Sequence, residues 1–454
     1  MNGALAFGRL SGFLKVSVMA LALFSASHEA EAQTNGKIER IVTPAGIEIW
    51  FVRDDTIPIL SLNFAFAGGA SQDPANRAGL AYITAAMLDE GAGELDAKTF
   101  QERLEDRAIT LNFSADRDTF RGSILALSEH RAEAFELLRL SLTAPRFDQE
   151  AIDRIRASVQ AGLRRALNDP DEIAGLRWFA SAFPNHPYGR PVKGDETSVG
   201  AIEREMLFSY VKKNLARSNL KIAAVGAIDA AELARLVDLA FAKLPANAEL
   251  VSIPDAAPAA LGNRDIIDLN IPQTTITFGG VGLKRKDPDF IPAFVLNHIL
   301  GGGAFSSRLY REVREKRGLA YSVYSYLATL ERSGLFLGGT STRNDRASET
   351  LKIIEEEIVR LANEGPTTEE LTQAKSYLTG SYLLHFDTSG KVASQLLEIQ
   401  LNELGIDYIE RRNRLVNAVS AEDVRRAAKR FLTGGKFLVI MVGRPAPLAK
   451  SNGG

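Results

Sequence analysis

Arg314 and Tyr321 stand on either side of Gly318, inside residues 309–321, which read Leu-Tyr-Arg-Glu-Val-Arg-Glu-Lys-Arg-Gly-Leu-Ala-Tyr. The stretch predicts a charged helix that ends near Gly318 and a strand that starts at Leu319. An Arg and a Tyr held at such a corner can serve one substrate, the guanidinium as a fixed cation and the phenol as a hydrogen-bond donor. A plainer reading stands beside this one. Arg314 could pair with a Glu on the helix surface, and Tyr321, sharing a strand face with Val323, could belong to the core. No local metal-ligand set, nucleophile triad or phosphate loop supplies the chemistry the pair would assist.

The remaining candidates carry less chemistry. Gly301, Gly302 and Gly303 precede Ala304-Phe305-Ser306-Ser307-Arg308, but the run follows a helix and lacks the Gly-Lys-Ser/Thr end of a phosphate loop. It reads as a flexible helix–helix connection that could also admit a substrate backbone. His130, His186, His298 and His385 are too far apart in sequence to form a local metal pair. His298 lies in an apolar helix, and His186 in a Pro-rich loop, so structural roles suit both. The carboxylate runs Asp89-Glu90 and Glu355-Glu356-Glu357 fall on predicted helices, where such runs form solvated faces. There is no Cys, which excludes disulfides, thiolate nucleophiles and Cys-based zinc sites.

Several elements must position these residues. Residues 1–32 read as a signal peptide, with Arg9 and Lys15 before an apolar run at 16–24 and a small-residue site at Ala30 and Ala32. The protein is therefore expected to be exported, periplasmic and cut after Ala32, with an uncleaved membrane anchor as the alternative. No later run approaches transmembrane length. The full chain has 454 residues and a net charge of −2, with both signs interspersed, which gives no electrostatic case for nucleic acid. Residues 245–264, with Pro245, Pro254 and Pro258, read as a linker between two similar halves. Asp73-Pro74 matches Asp287-Pro288, Arg131-Ala132 matches Arg346-Ala347, and Val225-Gly226 matches Val442-Gly443, each pair about 215 residues apart. Leu60, Leu62, Phe64 and Phe66 alternate as a half-buried strand does, while Ala347, Leu351, Ile354, Ile358 and Leu361 recur at helical spacing. The expected architecture is α+β: two homologous domains at 33–244 and 265–448, each a mostly antiparallel sheet with helices packed on it, and a tail at 449–454.

On these residues the chain resembles the insulinase/pitrilysin family of inverted-motif zinc peptidases, which includes the mitochondrial processing peptidases. The resemblance is strongest at Ser306-Ser307-Arg308-Leu309 and through Arg314-Glu315-Lys316-Arg317-Gly318-Leu319-Ala320-Tyr321-Ser322-Val323. Gly79-Leu80-Ala81, His186-Pro187-Tyr188-Gly189-Arg190-Pro191 and 273–282 support it. The resemblance implies an H-x-x-E-H zinc motif on a helix of the first domain and a further Glu on a later helix. Placed through Gly79-Leu80-Ala81, those positions are Tyr82, Ala85 and Ala86, and Ala161 or Gly162 stands where the distant Glu belongs. Every zinc-site position is substituted, so this chain is expected to bind no metal.

The resemblance further implies that Arg314 holds a substrate carbonyl or carboxylate and that Tyr321 donates to the developing oxyanion, with Gly301, Gly302 and Gly303 near the substrate. It points to the non-zinc subunit of a heterodimeric periplasmic metalloendopeptidase. Zinc would lie in a homologous partner with an intact H-x-x-E-H motif, and peptides or unfolded polypeptides would be the substrates. The alternative is a catalytically inactive scaffold or peptide-binding subunit of the same fold.

Overall fold

The computed structural model describes residues 36–432 and 436–446; the expected signal peptide at 1–32 and the tail at 449–454 lie outside the described residues. Two sheets carry the fold. The first takes β1 (Glu39–Val42), β2 (Glu48–Arg53), β3 (Ile59–Ala67), β4 (Thr110–Ala115), β5 (Thr119–Leu127) and β6 (Leu220–Gly226), in the order β1-β2-β6-β3-β5-β4. The second takes β7 (Arg264–Ile267), β8 (Gln273–Val281), β9 (Ala320–Thr329), β10 (Gly334–Arg343) and β11 (Leu438–Val442), in the order β7-β11-β8-β10-β9. Apart from β1 the two orders correspond strand for strand. The parallel pairs correspond too, β2 with β6 and β7 with β11, and the other pairings are antiparallel. The expected α+β architecture of two mostly antiparallel sheets is what the chain adopts.

The internal repeat reaches to single residues. Gly226 and Gly443 follow the apolar run of the last strand in each half, with φ of 154° and 140°. A Cβ at Gly226 would lie 2.3 Å from the Ile59 carbonyl oxygen, and one at Gly443 would lie 2.9 Å from Thr274 Cα. Both positions bring the end of one strand against the start of its neighbour, where a side chain has no room.

One face of each sheet packs on helices from its own half. Leu60, Leu62, Phe64 and Phe66 of β3, with Ile222 and Ala224 of β6, join one core. Ile276 and Phe278 of β8, with Val439 and Met441 of β11, join the other. The opposite faces are covered reciprocally by the other half. Ala223 and Val225 of β6 pack against Ala393, Leu396, Leu397 and Ile399 of the helix Ser389–Leu401. Leu438, Ile440 and Val442 of β11 pack against Ala174, Trp178 and Ala182 of the helix Pro170–Ala182. Because β11 is buried on both faces, its sequence is an unbroken apolar run rather than an alternation.

Each exchanged helix also makes the same polar contact. Trp178 Nε1 donates to the Leu438 carbonyl at 3.1 Å, and Gln400 Nε2 donates to the Ile222 carbonyl at 2.8 Å. Residues 245–264 are pinned rather than slack, since Ala256 N donates to the Arg332 carbonyl and Ala259 N to the Ala182 carbonyl.

Trp178→Ala empties the centre of one exchanged contact and should cost roughly 3–5 kcal/mol. Gln400→Leu strands a buried carbonyl and should cost about 1–3 kcal/mol. Urea unfolding followed by fluorescence and circular dichroism should show one transition, shifted to lower urea in each variant; two separated transitions would mean the halves are not held together in this way.

Candidate functional site

The corner at Gly318 is built from the helix side first. The helix Phe290–Asn297 runs on into a wider, π-helical turn over His298–Gly302, and a second π-helical segment spans Tyr310–Glu315. There the Lys316 amide reaches back to the Arg311 carbonyl at 2.9 Å, one residue further than an α-helix allows. A buried ion pair fixes this segment. Arg308, only 4% exposed, meets Glu370 with Nε at 2.8 Å and Nη2 at 2.6 Å and donates to the Gly365 carbonyl at 3.0 Å. Arg311 adds a second cation to Glu370 at 2.8 Å. Burial alone would raise the Glu370 pKa, but Arg308, the Thr367 amide and Arg311 outweigh it and hold the carboxyl at about 2. Next along the segment, Glu312 takes Lys316 at 2.6 Å and Arg317 at 2.7 Å.

Arg314 is different. Among the described residues it has no carboxylate partner. Its guanidinium lies between two rings, 5.0 Å from the centroid of Tyr310 and 4.4 Å from that of Tyr321. Tyr310 in turn meets the exposed Phe305 edge-on at 5.0 Å. The rings hold the cation in place by stacking and leave its in-plane donors free.

Tyr321 does not share a face with Val323, as strict alternation predicts. The pairing of β9 with β10 slips: Val323 sits opposite Thr340, and Ala320 opposite Thr342. This bulge puts one extra residue into β9 and re-aims Tyr321, which is 80% exposed while Val323 is buried. Thr340 Oγ1 donates to the Ser322 carbonyl at 2.7 Å and Thr342 Oγ1 to the Leu319 carbonyl at 2.6 Å, which fixes the bulge. The sheet order ends at β9, so Tyr321 stands on an edge strand.

The three glycines form a packing device rather than a flexible link. Gly301 is buried, and a Cβ there would lie 2.6 Å from Ser325 Oγ and 2.7 Å from Ser325 N of β9. It is therefore a contact between helix and strand, and only Gly302 is fully exposed, with Gly303 partly so. A Cβ on Gly303 would lie 2.6 Å from the His298 carbonyl oxygen. His298 itself is buried, stacks on Tyr377 at 5.0 Å, and has its pKa pushed down by burial.

In the first half, the positions of the expected metal motif lie on the helix Leu80–Met87. Asp73 accepts from the Gly79 and Ala81 amides, both at 2.9 Å, and so holds the start of this helix. Burial raises the Asp73 carboxyl to about 7 against those hydrogen bonds. Tyr82 and Ala86 are half-buried on one face, and Ala85 is buried. Tyr82 and Gly162 line one cavity of about 850 Å³, together with Arg117, Asp171, Phe179 and Lys193. Of Ala161 and Gly162, Gly162 is the one that lines this cavity. The donor set does not fit zinc: Tyr82 and Gly162 offer the cavity a phenol and no side chain, and Ala85 and Ala86 carry only methyl groups. Among the described residues no three His, Cys, Asp or Glu side chains are grouped to hold a metal ion. The lining residues all fall between Tyr82 and Gly194, whereas Arg314 and Tyr321 lie in the second half of the chain. Asp89 and Glu90 lie just past the end of the helix Leu80–Met87, not on it, and Glu90 pairs with Arg154.

Two further residues carry no signal in the amino-acid pattern. Phe305 extends the aromatic stack at the corner, and Arg117 faces the cavity from the turn between β4 and β5. A charged hairpin turn reads as solvent-facing, so nothing marked Arg117.

Residues 51–196 match the family model described as Insulinase (Peptidase family M16), and residues 201–378 match the one described as Peptidase M16 inactive domain. An uncharacterized zinc protease of Streptomyces coelicolor is 27% identical over 410 residues, covering 87% of this chain and 88% of its own length. A Helicobacter pylori protein named Non-peptidase homolog YmxG is 26% identical over 361 residues, covering 79% and 82%. The crystal structure of a peptidase M16 inactive domain from Pseudomonas fluorescens superposes with a TM-score of 0.85 at 29% identity, over 90% of this chain and 98% of that one. A protease structure from Helicobacter pylori shares the fold with a TM-score of 0.82 at 17% identity, over 90% and 99%.

The Arg308–Glu370 anchor has a pH signature. The Glu370 carboxyl is held at about 2 in the fold against an ordinary 4.5, so its contribution is present above pH 4.5 and is lost as pH falls toward 2. Denaturant unfolding at stepped pH should therefore show stability falling across that window more steeply in the wild type than in Glu370→Gln. Equal slopes would remove this pair as the anchor.

Proposed function

Because the chain belongs to the insulinase family, peptidase family M16, we propose that it is the non-zinc subunit of a two-chain metalloendopeptidase. In this reading it presents Arg314 and Tyr321 to peptides bound against a homologous partner that carries an intact H-x-x-E-H motif. One observation carries the reading. The assisting pair is built and held in place, with Arg314 stacked between two tyrosines and free of any carboxylate partner among the described residues, while the metal positions are Tyr82, Ala85, Ala86 and Gly162. A guanidinium without an internal anion keeps its donors for a substrate carbonyl or carboxylate. An exposed phenol on an edge strand can donate to the oxyanion that forms when a peptide carbonyl is attacked. Exposed Gly302 lets an extended chain approach the same corner. The metal and the attacking water belong to the partner, and the expected export would place the complex in the periplasm.

The name of the Helicobacter pylori relative, a non-peptidase homolog, favours a second reading: a subunit of the same fold that binds peptides or organises a complex without assisting cleavage. The two readings separate in one experiment. The chain should be purified alone and with a zinc-motif homologue from the same organism, and zinc content and peptide hydrolysis measured. The proposal expects hydrolysis only from the mixture. There Tyr321→Phe should lower kcat by about two to three powers of ten with little change in KM, and Arg314→Ala should raise KM. Full activity in the doubly substituted complex would establish the second reading, and zinc-dependent hydrolysis by the isolated chain would overturn both.

A further inference from the structure

The cavity over the lost metal positions has a feature that the Arg314–Tyr321 corner does not explain. Arg117 projects into it from the turn between β4 and β5, and its guanidinium lies 3.6 Å from the centroid of the Phe179 ring. Nε donates to the Tyr188 carbonyl at 3.2 Å. Stacking and this bond fix the plane of the group and leave its Nη donors without a hydrogen-bond acceptor among the described residues. The carboxylates beside it are engaged elsewhere. Asp118 takes the Tyr188 hydroxyl at 2.5 Å and the Glu331 amide at 2.9 Å, while Asp116 takes Thr119 and Arg121. Of the carboxylates lining the cavity, Asp169 accepts from the Asp171 and Glu172 amides, and Glu172 faces Lys193 at 3.5 Å. Asp171 stands at the exposed rim. Burial pushes the Arg117 pKa down, yet a guanidinium stays charged at any physiological pH.

A held, half-buried cation with unused donors is the recognition element of a carboxylate site. Its surroundings decide which carboxylate. Val159, Leu163, Leu176 and Phe179 give the cavity apolar walls, and about 850 Å³ is room for several residues of peptide rather than for a bare ion. A Cβ on Gly162 would meet only an Arg165 nitrogen, at 3.8 Å, so the position where the distant metal ligand belongs is open space. We propose that this cavity is a peptide-binding pocket in which Arg117 anchors a carboxylate, at the chain terminus or on an acidic side chain, in the space vacated by the metal site. The pocket belongs to this chain alone and needs no partner, so its failure leaves the two-subunit reading standing, and the reverse holds too.

The test is calorimetric titration of the isolated chain with three short unstructured peptides of Ala and Leu. One has a free carboxyl terminus, one is its terminal amide, and one is the amide with a single internal Glu. The free acid or the Glu-containing amide should bind at least about tenfold tighter than the plain amide, equivalent to about 1.4 kcal/mol. Whichever of the two binds identifies the source of the carboxylate. Arg117→Gln should erase the preference, and Arg117→Lys should restore part of it. Gly162→Leu leaves Arg117 in place and fills the open space, so it should weaken binding of the preferred peptide at least about tenfold, and thermal unfolding of each variant checks that the fold is kept. Equal binding of all three peptides, no binding of any, or a preference that survives Arg117→Gln would overturn the proposal.

Discussion

Each sheet has an outer face that its own half of the chain leaves bare, and each is closed by a helix from the other half. Trp178 and Ala174 seal β11, and Leu396 and Ala393 seal β6. This reciprocal burial is the constraint from which the rest follows. It fixes the two halves as one body, so the cavity of the first half and the Arg–Tyr corner of the second are held on a common frame. Burying a Trp in the middle of the contact supplies a large apolar area. The matched donors Trp178 Nε1 and Gln400 Nε2 satisfy carbonyls of the strands that they cover. An interface packed like an interior, with its central donors matched to carbonyls, behaves as core, not as a hinge.

On that frame, the second half uses a buried ion pair to place a half-buried cation that has no carboxylate partner among the described residues. Arg308 and Glu370 pair in a site with almost no solvent, and the segment they hold carries Arg314 to a position against the rings of Tyr310 and Tyr321. Gly301 lets that segment lie close against β9, and the bulge in β9 turns Tyr321 outward to meet it. The first half shows the opposite arrangement. Its helix Leu80–Met87 is well anchored by Asp73, but the side chain it presents to the cavity is the Tyr82 phenol. The scaffold of a hydrolytic centre persists there without the donor atoms for a metal.

Much of this was legible in the residues, and the failures have physical causes. The repeat could be read because the same local demands recur: a strand end that must be glycine at 226 and 443, and alternating apolar residues at 60–66. β7 leaves little trace in the sequence, because four residues, two of them charged, carry too little periodicity. The plainer reading, with Tyr321 on the Val323 face, fails because alternation counts residues, and a bulge adds one without leaving a mark in composition. The glycine run was read as slack because a sequence does not show how near Ser325 comes. The exchanged helices were invisible for a related reason. Apolar spacing on 170–182 and 389–401 says that a face is buried, not which sheet buries it.

The exchange also decides when the molecule can become whole. As the chain is synthesised, the strands of the first half are complete by Gly226, well before Ser389–Leu401 exists to cover them. Until then Ala223 and Val225 lack their cover, and an apolar sheet face is open to other chains. The first half therefore waits on the second, and the closing contacts join residues far apart in sequence, which slows the final step. A chain wired in this way closes only when its last strand, Leu438–Val442, has been made, and it depends on being kept from aggregating until then.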